Sequence, residues 1–129
     1  MKKVIFALAI LLASNTALAG CSTADLDGYW DFYDADVDFA LTCSLRIRNG
    51  TVSLHQQFGC NGYGNTVQGV GSITGNLRVD QFCHVVGSLI VDGTTVSILK
   101  STMNQSRSTI QGIGQGPFEY ATFTMVKFW

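Results

Sequence analysis

The chain predicts an all-β fold, a single small antiparallel meander barrel of about eight strands spanning residues 28–129. Three observations carry that expectation. Residues 39–48 alternate without a break: Phe39, Leu41, Cys43, Leu45 and Ile47 share one face, while Ala40, Thr42, Ser44, Arg46 and Arg48 share the other. A period of two over that length is a half-buried strand. Asn49-Gly50 and Asp92-Gly93 are two-residue hairpin turns, because both of their positions accept positive φ. Gln111-Gly112-Ile113-Gly114, loosely repeated as Gln68-Gly69-Val70-Gly71, puts glycine at alternate strand positions. Such glycines fit a sheet that bends sharply or is closely approached from one side, as in a barrel.

The elements follow in order. Residues 28–33 form a first strand, with Trp30 and Phe32 on one face and Tyr29, Asp31 and Tyr33 on the other. The Asn49-Gly50 turn sets Ile47 opposite Val52, Leu45 opposite Leu54 and Leu41 opposite Phe58, so that turn and pattern specify one register. That register turns Gln56 inward, opposite Cys43, where a buried amide needs partners. A turn at Thr74-Gly75-Asn76 joins strands at 66–73 and 77–82, and Asp92-Gly93 joins 85–91 to 94–100, with Leu89 opposite Val96. A last strand at 118–128 is rich in Thr, Phe, Val and Tyr, which suit strands. The expected core is Trp30, Phe32, Leu41, Leu45, Ile47, Val52, Leu54, Phe58, Val79, Leu89, Val96, Ile98, Phe123 and Met125.

Residues 1–20 read as a signal peptide: Lys2 and Lys3, an apolar run from 4 to 13, then small residues ending in Ala19-Gly20. Ala17-Leu18-Ala19 is an Ala-x-Ala site for general signal peptidase. Leu18-Ala19-Gly20-Cys21 resembles the lipobox of bacterial lipoproteins, which implies a lipid on Cys21, residues 21–27 as a short tether, and an outer-membrane address. The alternative is a periplasmic or secreted protein. Beyond residue 20 stand six basic and nine acidic residues, for a net charge of −3. The basic residues are scattered, which argues against nucleic acid as a partner.

Export favours disulfides among Cys21, Cys43, Cys60 and Cys83. With lipid on Cys21, three thiols remain. With Cys21 free, the hairpin register separates Cys43 from Cys60 and favours Cys60 with Cys83 and Cys21 with Cys43.

Chemistry has little foothold. Six of the acids fall between Asp25 and Asp38. Asp34, Asp36 and Asp38 open like a calcium loop, but Phe39 and Leu45 occupy the positions where an EF-hand needs Gly and Glu. A calcium site of another kind is the residual metal candidate, against a merely solvated loop. His55, Cys60, Cys83 and His84 match no zinc spacing. There is no G-x-S-x-G elbow, and Glu119 is the single Glu. The expectation is a protein with no catalytic residues and no cofactor that works by contact. Tyr29, Asp31, Tyr33 and Gln56 are the candidate contact residues for a small molecule, glycan or envelope protein.

Leu26-Asp27-Gly28-Tyr29-Trp30 is similar to the L-x-G-x-W that opens lipocalins, avidins and small bacterial inhibitors of secreted metalloproteases. In the inhibitors a Cys within an alternating strand follows, as in Thr42-Cys43-Ser44-Leu45-Arg46-Ile47. The resemblance implies an eight-stranded barrel. It also supplies the second functional expectation, inhibition of a secreted or periplasmic hydrolase by an extended N-terminal segment. The biotin-binding tryptophans of avidins have no counterparts, since Trp30 and Trp129 are the two tryptophans.

Overall fold

Nine strands in chain order make up the sheet: β1 Gly28–Ala35, β2 Phe39–Arg48, β3 Thr51–Leu54, β4 Cys60–Gly64, β5 Ile73–Val79, β6 Val85–Val91, β7 Thr94–Met103, β8 Thr109–Gln115 and β9 Tyr120–Lys127. The structure is a computed structural model and describes residues 20–35, 39–64, 70–117 and 119–129. All pairings are antiparallel, and β1 pairs with both β2 and β9. This closes an eight-stranded barrel, β1-β2-β3-β5-β6-β7-β8-β9, with β4 as an additional strand. Closure removes the exposed edges that an open sheet of this size would carry.

Both two-residue turns form as their chemistry dictates. Asn49 and Gly50 have φ of 50° and 78°, and Asp92 and Gly93 have 47° and 83°. The registers they set are those expected: Ile47 faces Val52, Leu45 faces Leu54, and Leu89 faces Val96.

Beyond Leu54 the expected register fails. Residues 55–59 leave the ladder as a loop facing the single residue Ser44: His55 N donates to the Ser44 carbonyl (2.8 Å), and Ser44 N donates to the Gly59 carbonyl (2.9 Å). The strand resumes as β4 along the same edge of β2, now with Cys60 opposite Cys43 and Gly62 opposite Leu41. Phe58 is therefore not a core residue but 57% exposed. Gln56 is on the outside rather than in the barrel.

The same shift corrects the disulfides, which are Cys43–Cys60 and Cys21–Cys83. Two other expectations fall. Thr74-Gly75-Asn76 lies inside β5, not at a turn, and Gly71 precedes β5 in a loop. Gln68 and Gly69 lie outside the described residues.

The barrel is filled in its lower half. Trp30, Leu45, Ile47, Val52, Ile73, Leu77, Val85, Ile110 and Met125 are buried. Across β1 and β9, Phe32 and Phe123 stack at 5.8 Å. A Cβ on Gly112 would collide with the Lys100 carbonyl oxygen and lie 2.6 Å from the Ser101 Cβ and 2.9 Å from the Phe123 ring, so the close approach of β7 and of the phenylalanine requires glycine here.

Residues 21–27 are no tether. Thr23–Leu26 is a short 3-10 turn that closes the base, with Leu26 fully buried and the Trp30 Nε1–H donating to its carbonyl at 2.7 Å. Asp25 and Asp27, two members of the acid run, hold this cap in place. The Asp25 carboxylate accepts the Ser22 N–H and pairs with Arg107 at 3.4 Å, and Asp27 accepts the Asn49 N–H.

Cys21 is buried and bonded to Cys83 on the β5–β6 loop. A lipid thioether would consume the same sulfur, so lipidated Cys21 and this disulfide exclude each other. Cys83 has φ of 66° and is presented by a loop knotted around Asp80, whose carboxylate accepts the N–H groups of Phe82 and His84 at 2.9 Å and faces His84 Nδ1 at 3.0 Å.

The His84 N–H chiefly, helped by the His84 ring and the Phe82 N–H and opposed by desolvation, holds Asp80 below the ordinary aspartate value. A carboxylate depressed in the folded state stabilises above its unfolded value, about pH 3.9, and the contribution is lost as pH falls through the folded value. An NMR titration is thus expected to give Asp80 a midpoint below the ordinary aspartate value, and Asp80→Asn to remove part of the acid dependence of stability.

Candidate functional site: the barrel mouth and the outer wall

Opposite the cap, the barrel opens. The inward positions of β8 run Ile110, Gly112, Gly114, and the chain continues to Gly116, while β9 contributes Ala121 above Phe123. A Cβ would lie 2.9 Å from the Phe123 ring at Gly112 and 3.1 Å from the Val96 Cγ1 at Gly114, whereas at Gly116, among the described residues, it would meet only the Glu119 carbonyl, at 3.8 Å. The result is a cavity of about 370 Å³ lined by Phe32, Leu41, Val70, Leu89, Val91 and Val96 together with Asp34, Thr94, Pro117 and Glu119. A narrow extension of about 20 Å³ shares Phe32, Asp34, Leu89 and Val96 and reaches Ile98, Gly114, Ala121 and Phe123. Among the described residues no basic side chain lines the mouth to offer a counter-ion to an anionic group, while Asp34 and Glu119 do line it. The volume falls in the range of small-molecule sites, which are mostly apolar with few polar groups.

A second depression, of about 410 Å³, lies on the outer wall where the 55–59 loop stands beside β1. Tyr29, Arg46, Ser53, Leu54, His55, Gln56 and Gln57 line it. The rings of Tyr29 and His55 meet at 5.0 Å edge to face, and Phe58 lies 4.8 Å beyond His55.

The expected contact residues divide between these places. Tyr29 and Gln56 come together on the outer wall, and Gln56 does so only because the loop turns it outward. Asp31 accepts the Ser44 hydroxyl at 2.7 Å, a cross-strand bond that occupies it structurally. Tyr33 is 44% exposed and does not line either depression. Asp34, read as a calcium ligand, stands at the mouth, whereas Asp36 and Asp38 lie outside the described residues. Among the described residues no cluster of three or more metal-ligating side chains forms.

The apolar mouth escaped sequence reasoning because its signal is the absence of bulk at Gly114, Gly116 and Ala121. His55, Arg46 and Phe58 escaped because the loop that gathers them carries no turn motif.

No protein-family model, curated protein or solved structure matches the chain at a significant level.

Proposed function

We propose that this protein is a non-enzymatic exported binding module whose barrel mouth takes a small, predominantly apolar molecule without an anionic head. The observation that carries the reading is the cavity of about 370 Å³, walled by Phe32, Leu41, Val70, Leu89 and Val96. Burying apolar ligand surface there supplies roughly 25 cal/mol per Å², and a preformed barrel loses little freedom on binding. The inhibitor reading is less well supported. The N-terminal segment that would plug a protease cleft is folded under the barrel and stapled through Cys21. All four cysteines are paired. This favours cleavage before Gly20 by the general peptidase and a periplasmic or secreted protein, rather than a lipid on Cys21.

A matched pair of fluorescent probes tests the mouth. N-phenylnaphthylamine is neutral, and anilinonaphthalene sulfonate has the same rings with a negative charge. The neutral probe is expected to bind with enhanced emission, and the sulfonate at least about fivefold more weakly, a difference of roughly 1 kcal/mol. Val96→Trp, which fills the cavity, should abolish the signal while the fold persists. Equal binding by both probes, or binding unaffected by Val96→Trp, would place the ligand elsewhere.

A further inference from the structure

The outer wall carries a second, independent arrangement. β2 projects Arg46 and Arg48 outward, two residues apart and so roughly 7 Å along the strand. Among the described residues neither guanidinium has a carboxylate partner. Arg46 lines the aromatic depression with Tyr29 and His55, and it also lines an adjoining one of about 340 Å³ with Arg48, Asn49, Thr51 and Ser53. The two depressions therefore share Arg46 and Ser53 as a common wall. The aromatic end is lined by Tyr29 and His55, with the exposed Phe58 ring beside His55. Gln57 N donates to His55 Nδ1 at 3.1 Å, which leaves the ring proton on Nε2 as a donor. Gln56 and Gln57 add amide donors and acceptors beside it.

From this juxtaposition we infer that the outer wall binds an acidic oligosaccharide, a chain of sugars bearing carboxylates. The ligand chemistry follows from the residues. Pyranose rings present an apolar C–H face that stacks on aromatic side chains, and the strip offers such faces at one end. Ring hydroxyls both donate and accept, as do the Gln56 and Gln57 amides and the Ser53 hydroxyl. Carboxylates two sugars apart or less meet guanidiniums with fork geometry, the strongest recognition a surface of this kind supplies.

The chain carries net negative charge, so Arg46 and Arg48, which share a neighbouring depression with Asp27 but form no ion pair among the described residues, are the place where an anion is attracted. An acidic peptide would use the arginines but not the row of rings and amides. A neutral glycan would leave the arginines idle. The site shares no lining residue with the barrel mouth, so the two readings stand or fall separately.

Isothermal titration of the folded domain with hexagalacturonate, with maltohexaose as the neutral control, tests the inference. Hexagalacturonate is expected to bind and maltohexaose not to. Binding should weaken at least fivefold in Arg46→Gln and in Phe58→Ala, both changes at exposed positions. It should also weaken as salt rises from 50 to 500 mM, and be unchanged in the mouth-filling Val96→Trp. No heat with hexagalacturonate, equal binding of maltohexaose, equal binding of hexaglutamate, or full affinity in Arg46→Gln would each overturn it.

Discussion

Trp30→Ala is expected to cost about 3–5 kcal/mol of folding free energy, the range for removing a buried tryptophan. Trp30 is fully buried at the base of the barrel, and three elements meet on it. Its indole N–H bonds the Leu26 carbonyl and so fixes the cap, and the Lys127 ammonium of β9 lies 5.4 Å over its ring. Lys127 Nζ in turn donates to the Asp25 carbonyl at 3.0 Å, tying the last strand to the same cap. Trp30→Phe keeps most of the volume and loses the hydrogen bond, leaving a buried carbonyl unsatisfied. Its expected cost is smaller, about 1–3 kcal/mol. Urea denaturation of the three proteins checks both values, and similar losses for Ala and Phe would mean that the hydrogen bond rather than the packing carries the effect.

Removing the Cys21–Cys83 disulfide through Cys21→Ser/Cys83→Ser is expected to cost about 4 kcal/mol, because the bond closes a separation of 62 residues and constrains the unfolded chain accordingly. The Cys43–Cys60 bond, with a separation of 17, should be worth about 3 kcal/mol on the same reasoning. The two differ more in their local consequences. Cys43–Cys60 joins directly paired strands that the β2–β4 ladder already holds. Cys21–Cys83 is the covalent hold on the segment that closes the base. In its absence the amide of Leu26 should exchange hydrogen much faster, while the amides of Leu45 and Ile47 stay protected. Loss of protection throughout the barrel would show instead that cap and barrel unfold as one unit.

The sequence disclosed the fold wherever local chemistry and burial pattern agreed. Phe39–Arg48 alternates over its whole length, and Asn49-Gly50 fixes the register of its hairpin, so Leu45 and Ile47 face Leu54 and Val52 as expected. Legibility ended at His55. A loop excursion that rejoins the same strand edge is invisible to a period-two pattern, because the apolar parity resumes on the far side. Shifting Cys60 by an even number of positions kept its inward parity while changing its partner to Cys43. The disulfide pairing was lost with it.

Thr74-Gly75-Asn76 has turn composition but sits inside β5. Its glycine packs against Leu89 of β6, where a Cβ would be 3.0 Å from the Leu89 Cα. The tightness of that approach, not local turn preference, decides the residue. The acid run divided similarly: Asp25 caps its own turn through Ser22, but its pairing with Arg107 and that of Asp27 with Asn49 reach partners far along the chain that no local spacing reveals. Of the candidate sites, the aromatic Tyr29 was readable from the strand, but the mouth is made of missing side chains and needs the closed barrel to exist.

The claim that the open end of the barrel is a binding site is tested most directly by methyl NMR of the folded domain during titration with N-phenylnaphthylamine. The expected result is a set of shift changes confined to Leu41, Val70, Leu89, Val91 and Val96, which line the mouth, with no change at the outward-facing Val86, Ile90 and Leu99. Shift changes at Val86, Ile90 or Leu99, or saturation of the probe with the mouth methyls unmoved, would contradict it.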